Sequence, residues 1–212
     1  MKFSRSFFLT LRLTVLGVLL LVPWATAATS PQAWLASAQT LERHRDWHAL
    51  LDLGRHWTEV EADNPLAWFV LGRALGELRR YPEAIAAYRR NLGIDPHDAY
   101  AYNNLGNAYR AIAHYRQAFE AYHGAVRSNP DYTLAWHNLG LVFFQLKGPT
   151  GVARALRQLQ ASDPELAEAW RKLAIEYAVT RDVRIAQAAI RTLRGLNDAE
   201  RERMFTILLE QI

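Results

Sequence analysis

The sequence predicts an all-α fold in which pairs of helices stack side by side into a solenoid. The main observation is a large aromatic residue that recurs at one constant interval, at Trp34, Trp68, Tyr102, Trp136 and Trp170. A fixed period of about 34 residues is typical of repeat proteins, in which one supersecondary unit stacks on the next. Two further observations indicate helices: apolar residues follow the aromatic at helical spacing, and a proline closes several repeats.

The first helix of each repeat is indicated by an apolar stripe. In the clearest repeat, Tyr102 is followed by Leu105, Gly106 and Tyr109, and equivalent residues recur in the repeats around it. Spacings of three and four positions place these residues on one face of a helix. The stripe therefore predicts the face that packs against the second helix.

The second helix is indicated by small and aromatic residues in the latter half of the repeat. Ala118 is followed four positions later by Tyr122, and Pro130 closes the repeat. Proline ends a helix or occupies its first turn, because it lacks an N–H group and its ring blocks the preceding turn. Two antiparallel helices approach closely only where small residues face each other, so we expect Gly106 to contact Ala118.

This order of residues resembles the W-x₂-L-G-x₂-Y, A-x₃-F, P pattern of the tetratricopeptide repeat. The matching residues are Tyr102, Leu105, Gly106, Tyr109, Ala118, Tyr122 and Pro130. The resemblance covers about residues 31–197. It implies a right-handed α-solenoid whose first helices line a concave groove, and it implies a protein or peptide as the partner.

The repeat register divides the chain into successive units. We expect one domain at 28–212, made of a degenerate repeat at 31–64, repeats at 65–98, 99–132, 133–166 and 167–197, and a capping helix at 198–212. In the degenerate repeat, Ser37 and Ala38 replace the expected Leu and Gly. Pro65 falls three positions late there, which predicts a longer second helix.

Two local patterns mark the later part of the chain. Gly148-Pro149-Thr150-Gly151 replaces the usual turn between the two helices of a repeat, which predicts a looser turn and less tight packing. Asn197 and Glu200 have the spacing of a capping box, which predicts the start of a helix. Apolar residues then fall on one side of this helix, so we expect it to cover the exposed end of the array. They are Met204, Phe205, Leu208, Leu209 and Ile212.

The N-terminal segment 1–27 has the pattern of a signal peptide. Basic residues precede an apolar run at 13–22, and Ala25-Thr26-Ala27 supplies the small residues of a cleavage site. We therefore expect a cleaved signal peptide at 1–27, a periplasmic protein and no membrane span after cleavage. The alternative is an uncleaved anchor in the inner membrane, although a spanning helix needs about 20 apolar residues.

The charge of the chain argues against a nucleic-acid partner. Three of the 25 basic residues and none of the 21 acidic residues lie in the segment 1–27, so the remainder carries 22 basic and 21 acidic residues. The apparent basicity therefore belongs to the predicted signal. The chain contains no cysteine, which suits an exported protein stabilised by packing alone.

Sequence patterns for catalysis and for cofactors are absent. The chain has no Gly-rich phosphate loop, no H-E-x-x-H and no Gly-x-Ser-x-Gly elbow. His44 and His48 have the spacing of metal ligands, but the register places them on either side of a turn. We therefore expect a protein that is not an enzyme and that holds neither a metal nor another cofactor.

The face of the first helices that remains outside the packing stripe is the candidate peptide-binding groove. The candidate residues are Tyr100, Asn103, Asn104, Asn107, Arg110, His137, Asn138, Leu141, Phe144, Arg171 and Lys172. An asparagine amide offers a donor and an acceptor, as a peptide unit does. Asn104 and Asn138 are one repeat period apart, so we expect them to stack in register along the groove. Arg171 and Lys172 would attract an acidic segment.

Two functions fit this sequence. The first is an adaptor of the bacterial cell envelope that holds an extended peptide or partner protein in the groove. The second is a structural or regulatory subunit that docks through its convex face or helix ends. Arg79-Arg80 and Arg89-Arg90 form a candidate basic patch on one repeat, and Arg89 and Arg90 lie on its second helix. Asn107 and Asn138 match two positions of the carboxylate clamp of some tetratricopeptide proteins, but Asn103 and Glu168 do not fit that clamp.

Overall fold

A computed structural model of the chain describes residues 30–209, and the candidate signal peptide lies outside these residues. Every regular element in the described part is a helix. The helices are α1 (Pro31–His44), α2 (Trp47–Val60), α3 (Pro65–Glu77), α4 (Tyr81–Ile94), α5 (Ala99–Ala111), α6 (Tyr115–Ser128), α7 (Thr133–Ser162), α8 (Pro164–Arg171), α9 (Ala178–Thr180), α10 (Val183–Arg194) and α11 (Asp198–Leu209). A π-helical segment, Lys172–Tyr177, joins α8 to α9.

Successive helices pack against each other in antiparallel pairs, and neighbouring pairs stack to form an α-solenoid. One continuous core runs through the array, built from one face of each helix. Its largest fully buried side chains include Trp57, Trp136, Trp170, Tyr122 and Phe119. The predicted fold class is confirmed. Between residues 30 and 209, no helix combines the length and the apolar character needed to cross a membrane.

The first helices of four successive units begin one repeat period apart. Pro31, Pro65, Ala99 and Thr133 are the first residues of α1, α3, α5 and α7. A side chain caps three of these helices. Asp98 Oδ1 accepts a hydrogen bond from the Ala101 N–H group at 2.9 Å, and Ser30 and Asn64 cap α1 and α3 in a similar way.

The expectation of a longer second helix in the first unit is wrong. α2 contains 14 residues, as do α4 and α6. Pro65 lies at the first turn of α3, where its missing N–H group costs nothing, whereas Pro96 lies in the loop between α4 and α5. The proline is displaced by three positions because it lies inside the next helix and not in the loop before it. The length of α2 is unaffected.

A left-handed residue ends the first helix of several units. Arg45, Arg79, Ala113 and Arg181 have φ values of 55–59°, and successive members of this set are one or two repeat periods apart. The Arg79 N–H group donates to Gly76 O at 3.0 Å, and the Arg80 N–H group donates to Leu75 O at 2.8 Å. These bonds satisfy carbonyl groups at the end of α3, as in other left-handed helix caps.

The turn at Gly148 is shorter than the sequence suggested. Gly148 has φ 62° and ψ 176°, and it alone separates the helical segments 133–147 and 149–162 of α7. Glycine reaches this backbone conformation without steric cost, and Pro149 is suited to begin the next helix at once. Val152 is fully buried. The expectation of a looser turn with less tight packing is therefore wrong.

Glycines lie where paired helices approach most closely, and the residue that faces them is tyrosine and not alanine. A Cβ atom added at Gly106 would lie 2.6 Å from Cε1 of Tyr122, and one added at Gly72 would lie 2.7 Å from Cε1 of Tyr88. The nearest partner of Gly106 is thus the Tyr122 ring, which corrects the expected contact with Ala118. Ala118 is itself fully buried in the core.

Helix α11 begins at the predicted capping box and packs back onto the middle of the array. The Asn197 N–H group donates to Glu200 Oε2 at 2.9 Å, and the Glu200 N–H group donates to Asn197 Oδ1 at 3.0 Å. Phe205 is buried, and its ring centroid lies 6.2 Å from that of Trp136 and 6.4 Å from that of Trp170. The capping helix therefore covers rings of α7 and α8.

A histidine of α6 is also covered by α11. The His123 ring centroid lies 4.0 Å from that of Phe205, and His123 Nε2 lies 3.4 Å from Glu202 Oε1. Burial lowers the pKa of His123, and the carboxylate of Glu202 acts in the opposite direction. The last predicted contact residue of this helix, Ile212, lies outside the described residues.

The left-handed turn at Ala113 generates a stability prediction. This conformation costs an L-residue about 1–2 kcal/mol, whereas glycine adopts it freely and loses about 0.5–1 kcal/mol more backbone entropy on folding. We expect Ala113→Gly to raise the free energy of unfolding by about 0.5–1 kcal/mol. Urea unfolding followed by circular dichroism measures the change.

The matched control for this substitution is Ala86→Gly at an exposed position inside α4. There the backbone is helical, so glycine should lower the free energy of unfolding by about 0.5–1 kcal/mol. The same alanine-to-glycine change should thus raise the free energy of unfolding at position 113 and lower it at position 86. A loss of stability in both would contradict the account of the turn.

Candidate functional site

The first helices α3 and α5 enclose a cleft of about 420 Å³, which we call the α3–α5 cleft. Its lining residues are Arg73, Gly76, Glu77, Arg79, Tyr81, Tyr88, Asn104, Asn107, Ala108, Arg110 and Ala111. A second hollow of about 450 Å³ lies between α1 and α3 and is lined by Gln39, Glu42, Arg43 and Arg73. Arg73 belongs to both, so the two hollows adjoin along the array.

The α3–α5 cleft carries an excess of positive charge. Arg73, Arg79 and Arg110 line it, and Glu77 is the one acidic residue among its described lining residues. Arg73 Nε lies 3.5 Å from Glu42 Oε1. Within residues 30–209, neither Arg79 nor Arg110 forms an ion pair. Two guanidinium groups are therefore available to an anionic ligand.

Two tyrosine hydroxyl groups lie beneath these polar side chains. Tyr122 Oη donates a hydrogen bond to Asn107 Oδ1 at 2.7 Å. Burial raises the pKa of Tyr122 to about 12, and the nearby charge of Arg110 acts in the opposite direction. Burial also raises the pKa of Tyr88, with Arg73 opposing it. Both phenols are therefore neutral at physiological pH, and the cleft keeps its positive charge.

Four of the predicted groove residues come together on α5. Asn104, Asn107 and Arg110 line the cleft, and Tyr100 lies on the same face of the helix with 58% of its surface exposed. The sequence analysis missed Arg73, and it assigned Arg79 to a basic patch outside the groove. Arg73 stands one repeat period before Asn107, so the register itself could have identified it as a groove position.

Two of the predicted asparagines are buried. Asn138 Nδ2 donates a hydrogen bond to Asn103 Oδ1 at 2.9 Å, and both residues are almost inaccessible to solvent. The expected stacking of Asn104 with Asn138 is therefore wrong, because Asn138 pairs with the neighbour of Asn104. The bond joins α5 to α7 and satisfies polar groups that would otherwise be costly to bury.

The apolar candidates on α7 are largely covered. Leu141 is buried, and Phe144 packs partly buried against the core. The ring centroid of His137 lies 4.7 Å from that of Tyr177, and partial burial lowers the pKa of His137. These three residues present little free surface to a ligand.

The cations on α8 and the π-helical segment are matched by carboxylates. Arg171 Nε lies 2.7 Å from Glu168 Oε2, and Arg171 also pairs with Glu176. Lys172 Nζ lies 3.5 Å from Glu168 Oε1. The hydrogen bond from Arg171 lowers the pKa of Glu168 to about 2, so the pair stays charged. The expected attraction for an acidic segment is therefore weaker here than in the α3–α5 cleft.

The buried amide pair generates a second prediction. Asn103→Ala would leave the Asn138 amide without its acceptor, and a buried unsatisfied group costs about 1–3 kcal/mol. We expect a loss of this size in urea unfolding. Asn104→Ala, the adjacent and partly exposed position, should change stability by less than about 0.5 kcal/mol. Equal losses in the two variants would contradict a structural role for the pair.

Two family models match the chain. One, described as TPR repeat, matches residues 72–112, and the other, described as Tetratricopeptide repeat, matches residues 103–150. No curated protein matches the sequence. Together the matches span residues 72–150, which include the residues that line the α3–α5 cleft and the turn at Gly148.

Solved structures of MamA share the fold. The chain is 20% identical to "MamA RS-1 ArsTM double mutant", with 85% of this chain and 93% of that chain covered at a TM-score of 0.53. "Crystal structure of MamA" is 20% identical over 82% of this chain and 93% of that chain, with a TM-score of 0.52. "Crystal structure of MamA protein" is 19% identical over 85% and 90%, with a TM-score of 0.53.

At this identity the MamA structures support the fold alone. The constant period of the sequence, the paired helices that begin at this period and the two family models, which match residues 72–112 and 103–150, all indicate the same repeat. The chain therefore contains tetratricopeptide repeats.

Proposed function

We propose that this protein is a non-enzymatic scaffold of the bacterial cell envelope that holds an extended segment of a partner protein in its concave groove. The observation that carries the proposal is the α3–α5 cleft. It combines two asparagine amides with two arginines that no carboxylate within residues 30–209 matches. Tetratricopeptide repeats serve in general as protein-interaction modules, so a protein partner is the natural occupant of this surface.

The groups that line the cleft suit a peptide backbone. Asn104 and Asn107 each offer a donor and an acceptor, so an amide can pair with a peptide unit whatever its side chain. Asn107 already accepts from Tyr122, which holds its side chain in one orientation. The backbone N–H and C=O groups of an extended peptide form no hydrogen bonds with each other. Amide side chains held in a groove can form hydrogen bonds with these groups.

The envelope location rests on the N-terminal sequence. Residues 1–27 combine basic residues, an apolar run at 13–22 and a small-residue cleavage pattern. We expect export, cleavage after Ala27 and a mature chain that begins at Ala28. Mass spectrometry of the protein from a periplasmic fraction measures the N-terminus. An intact Met1 in the membrane fraction would instead support the uncleaved anchor.

The convex face offers weaker support for docking. The guanidinium carbon of Arg89 lies 5.7 Å from the ring centroid of Tyr109, and that of Arg90 lies 5.9 Å from the ring centroid of Trp68. Arg90 also bonds to Asp63 Oδ1 at 3.2 Å. These contacts within the protein engage the basic pair. Docking through this face remains the alternative that the experiment below distinguishes.

Site-specific photo-crosslinking in cells tests the groove. A benzoylphenylalanine residue is placed at Asn104 or at Arg110 in the groove, and at Arg89 on the convex face as the control. We expect a discrete crosslinked partner from the two groove positions and none from the control position. Adducts only from position 89 would overturn the groove proposal in favour of the convex face.

A further inference from the structure

One face of α5 has an apolar end and a cationic end. Tyr100, Asn104, Asn107 and Ala111 follow each other at spacings of four, three and four positions, so they form one stripe along the helix. Arg110 lies at the C-terminal end of this stripe and lines the α3–α5 cleft. The stripe therefore leads from an exposed aromatic ring, across two amides, to a guanidinium group.

The apolar end is larger than one ring. The ring centroids of Tyr100 and Tyr132 lie 4.9 Å apart, which forms an aromatic pair at the start of α5. Leu134 stands one repeat period after Tyr100, at the same register position of the next first helix, and half of its surface is exposed. Exposed apolar groups that recur in register along a groove provide a seat for an apolar side chain.

The cationic end is a cluster of three guanidinium groups. Arg110, Arg79 and Arg73 line one cleft, and Glu77 is the one carboxylate among its described lining residues. Arginine pairs with a carboxylate through two parallel hydrogen bonds, so acidic side chains of a protein ligand suit this end. The charge of Arg73 opposes the rise in the pKa of Tyr132 that burial produces.

The distance between the two ends defines a spacing in the ligand. Tyr100 and Arg110 are ten positions apart on a helix, which corresponds to about 15 Å at a rise of about 1.5 Å per residue. An extended peptide covers this distance in four or five residues at about 3.3 Å each. A ligand that lies along α5 can therefore place one side chain at each end.

We propose that the groove selects an extended, internal segment of a partner protein with an aromatic or large apolar side chain four or five positions from a pair of acidic side chains. The apolar side chain seats on Tyr100 and Tyr132, the acidic pair binds Arg110 and Arg79, and the backbone between them pairs with Asn104 and Asn107. This inference rests on the proposed function, since it requires the groove to be the binding surface.

Designed peptides test the proposal with the protein purified after expression of the full chain. The fluorescent probe is a short Gly/Ser peptide, amidated at its C-terminus, with one Phe four positions from an Asp-Asp pair. Comparison peptides carry Lys-Lys in place of Asp-Asp, Ser in place of Phe, or Phe directly beside the acidic pair. We expect the probe to bind at least about tenfold more tightly than each comparison peptide in fluorescence anisotropy.

Charge reversal supplies the matched variants. Arg110→Glu should weaken binding of the Asp-Asp probe at least about tenfold and improve binding of the Lys-Lys peptide. Arg89→Glu, outside the groove, should change neither. Arg110→Gln serves as a second variant that removes the charge without reversing it, and circular dichroism checks that each variant keeps its helicity.

The outcomes separate this inference from the proposed function. Equal binding of the Asp-Asp and Lys-Lys peptides, or of the peptides with long and short separation, would overturn the acidic-apolar motif. Binding only of a free-acid version of the probe would also overturn it, because the ligand would then be a C-terminal carboxylate. In either case, partner crosslinks from positions 104 and 110 would leave the groove function standing. The absence of crosslinks from both groove positions would contradict the groove function and, with it, the acidic-apolar motif.

Discussion

At Gly72 and Gly106, a tyrosine ring from the paired helix lies closer than any side chain would allow. A Cβ atom at either position would come within 2.7 Å of the ring of Tyr88 or Tyr122. The tyrosine follows the glycine by the same number of residues in both repeats, so the turn must bring the second helix to the same position against the first. The left-handed residue that ends the first helix reverses the chain direction at this turn. The contact and the turn together determine how the two helices pair within these two repeats.

The boundaries of the helices and turns change where this contact is missing. In the unit at 133–166, Leu156 stands where the two preceding units have tyrosine, and Gly140 approaches Leu173 of the next unit instead. The turn there contracts to Gly148 alone, and the loop before α8 contracts to Asp163. Phe205 of α11 packs against Trp136 and Trp170 in this part of the array. An aromatic ring from outside the repeats thus joins the packing of the unit in which Leu156 replaces the tyrosine.

The array also divides its asparagines between two tasks. Asn103 and Asn138 bond to each other in the interior, where an unpaired amide would be costly. Asn104 is next in the chain to Asn103, yet it faces the α3–α5 cleft, because adjacent residues lie about 100° apart around a helix. The cations show a similar division. Arg171 and Lys172 are matched by nearby carboxylates, whereas no carboxylate between residues 30 and 209 pairs with the arginines at 79 and 110. Of these two sites, the α3–α5 cleft is therefore the one with cations left to attract an anion.

Sequence patterns were sufficient to predict the helix pairs, their constant period, the capping box at Asn197 and the placement of Asn104, Asn107 and Arg110 on one face. These features depend on periodicity and on contacts between residues near each other in the chain, which a pattern in one sequence records directly. The packed array was needed to show that Asn103 pairs with Asn138, that α11 covers α7 and α8, and that carboxylates match the cations of α8. Each of these features depends on which helix faces meet after the helices have packed. The same residue type can be paired in the interior or exposed on the surface, so the sequence pattern alone does not distinguish the two.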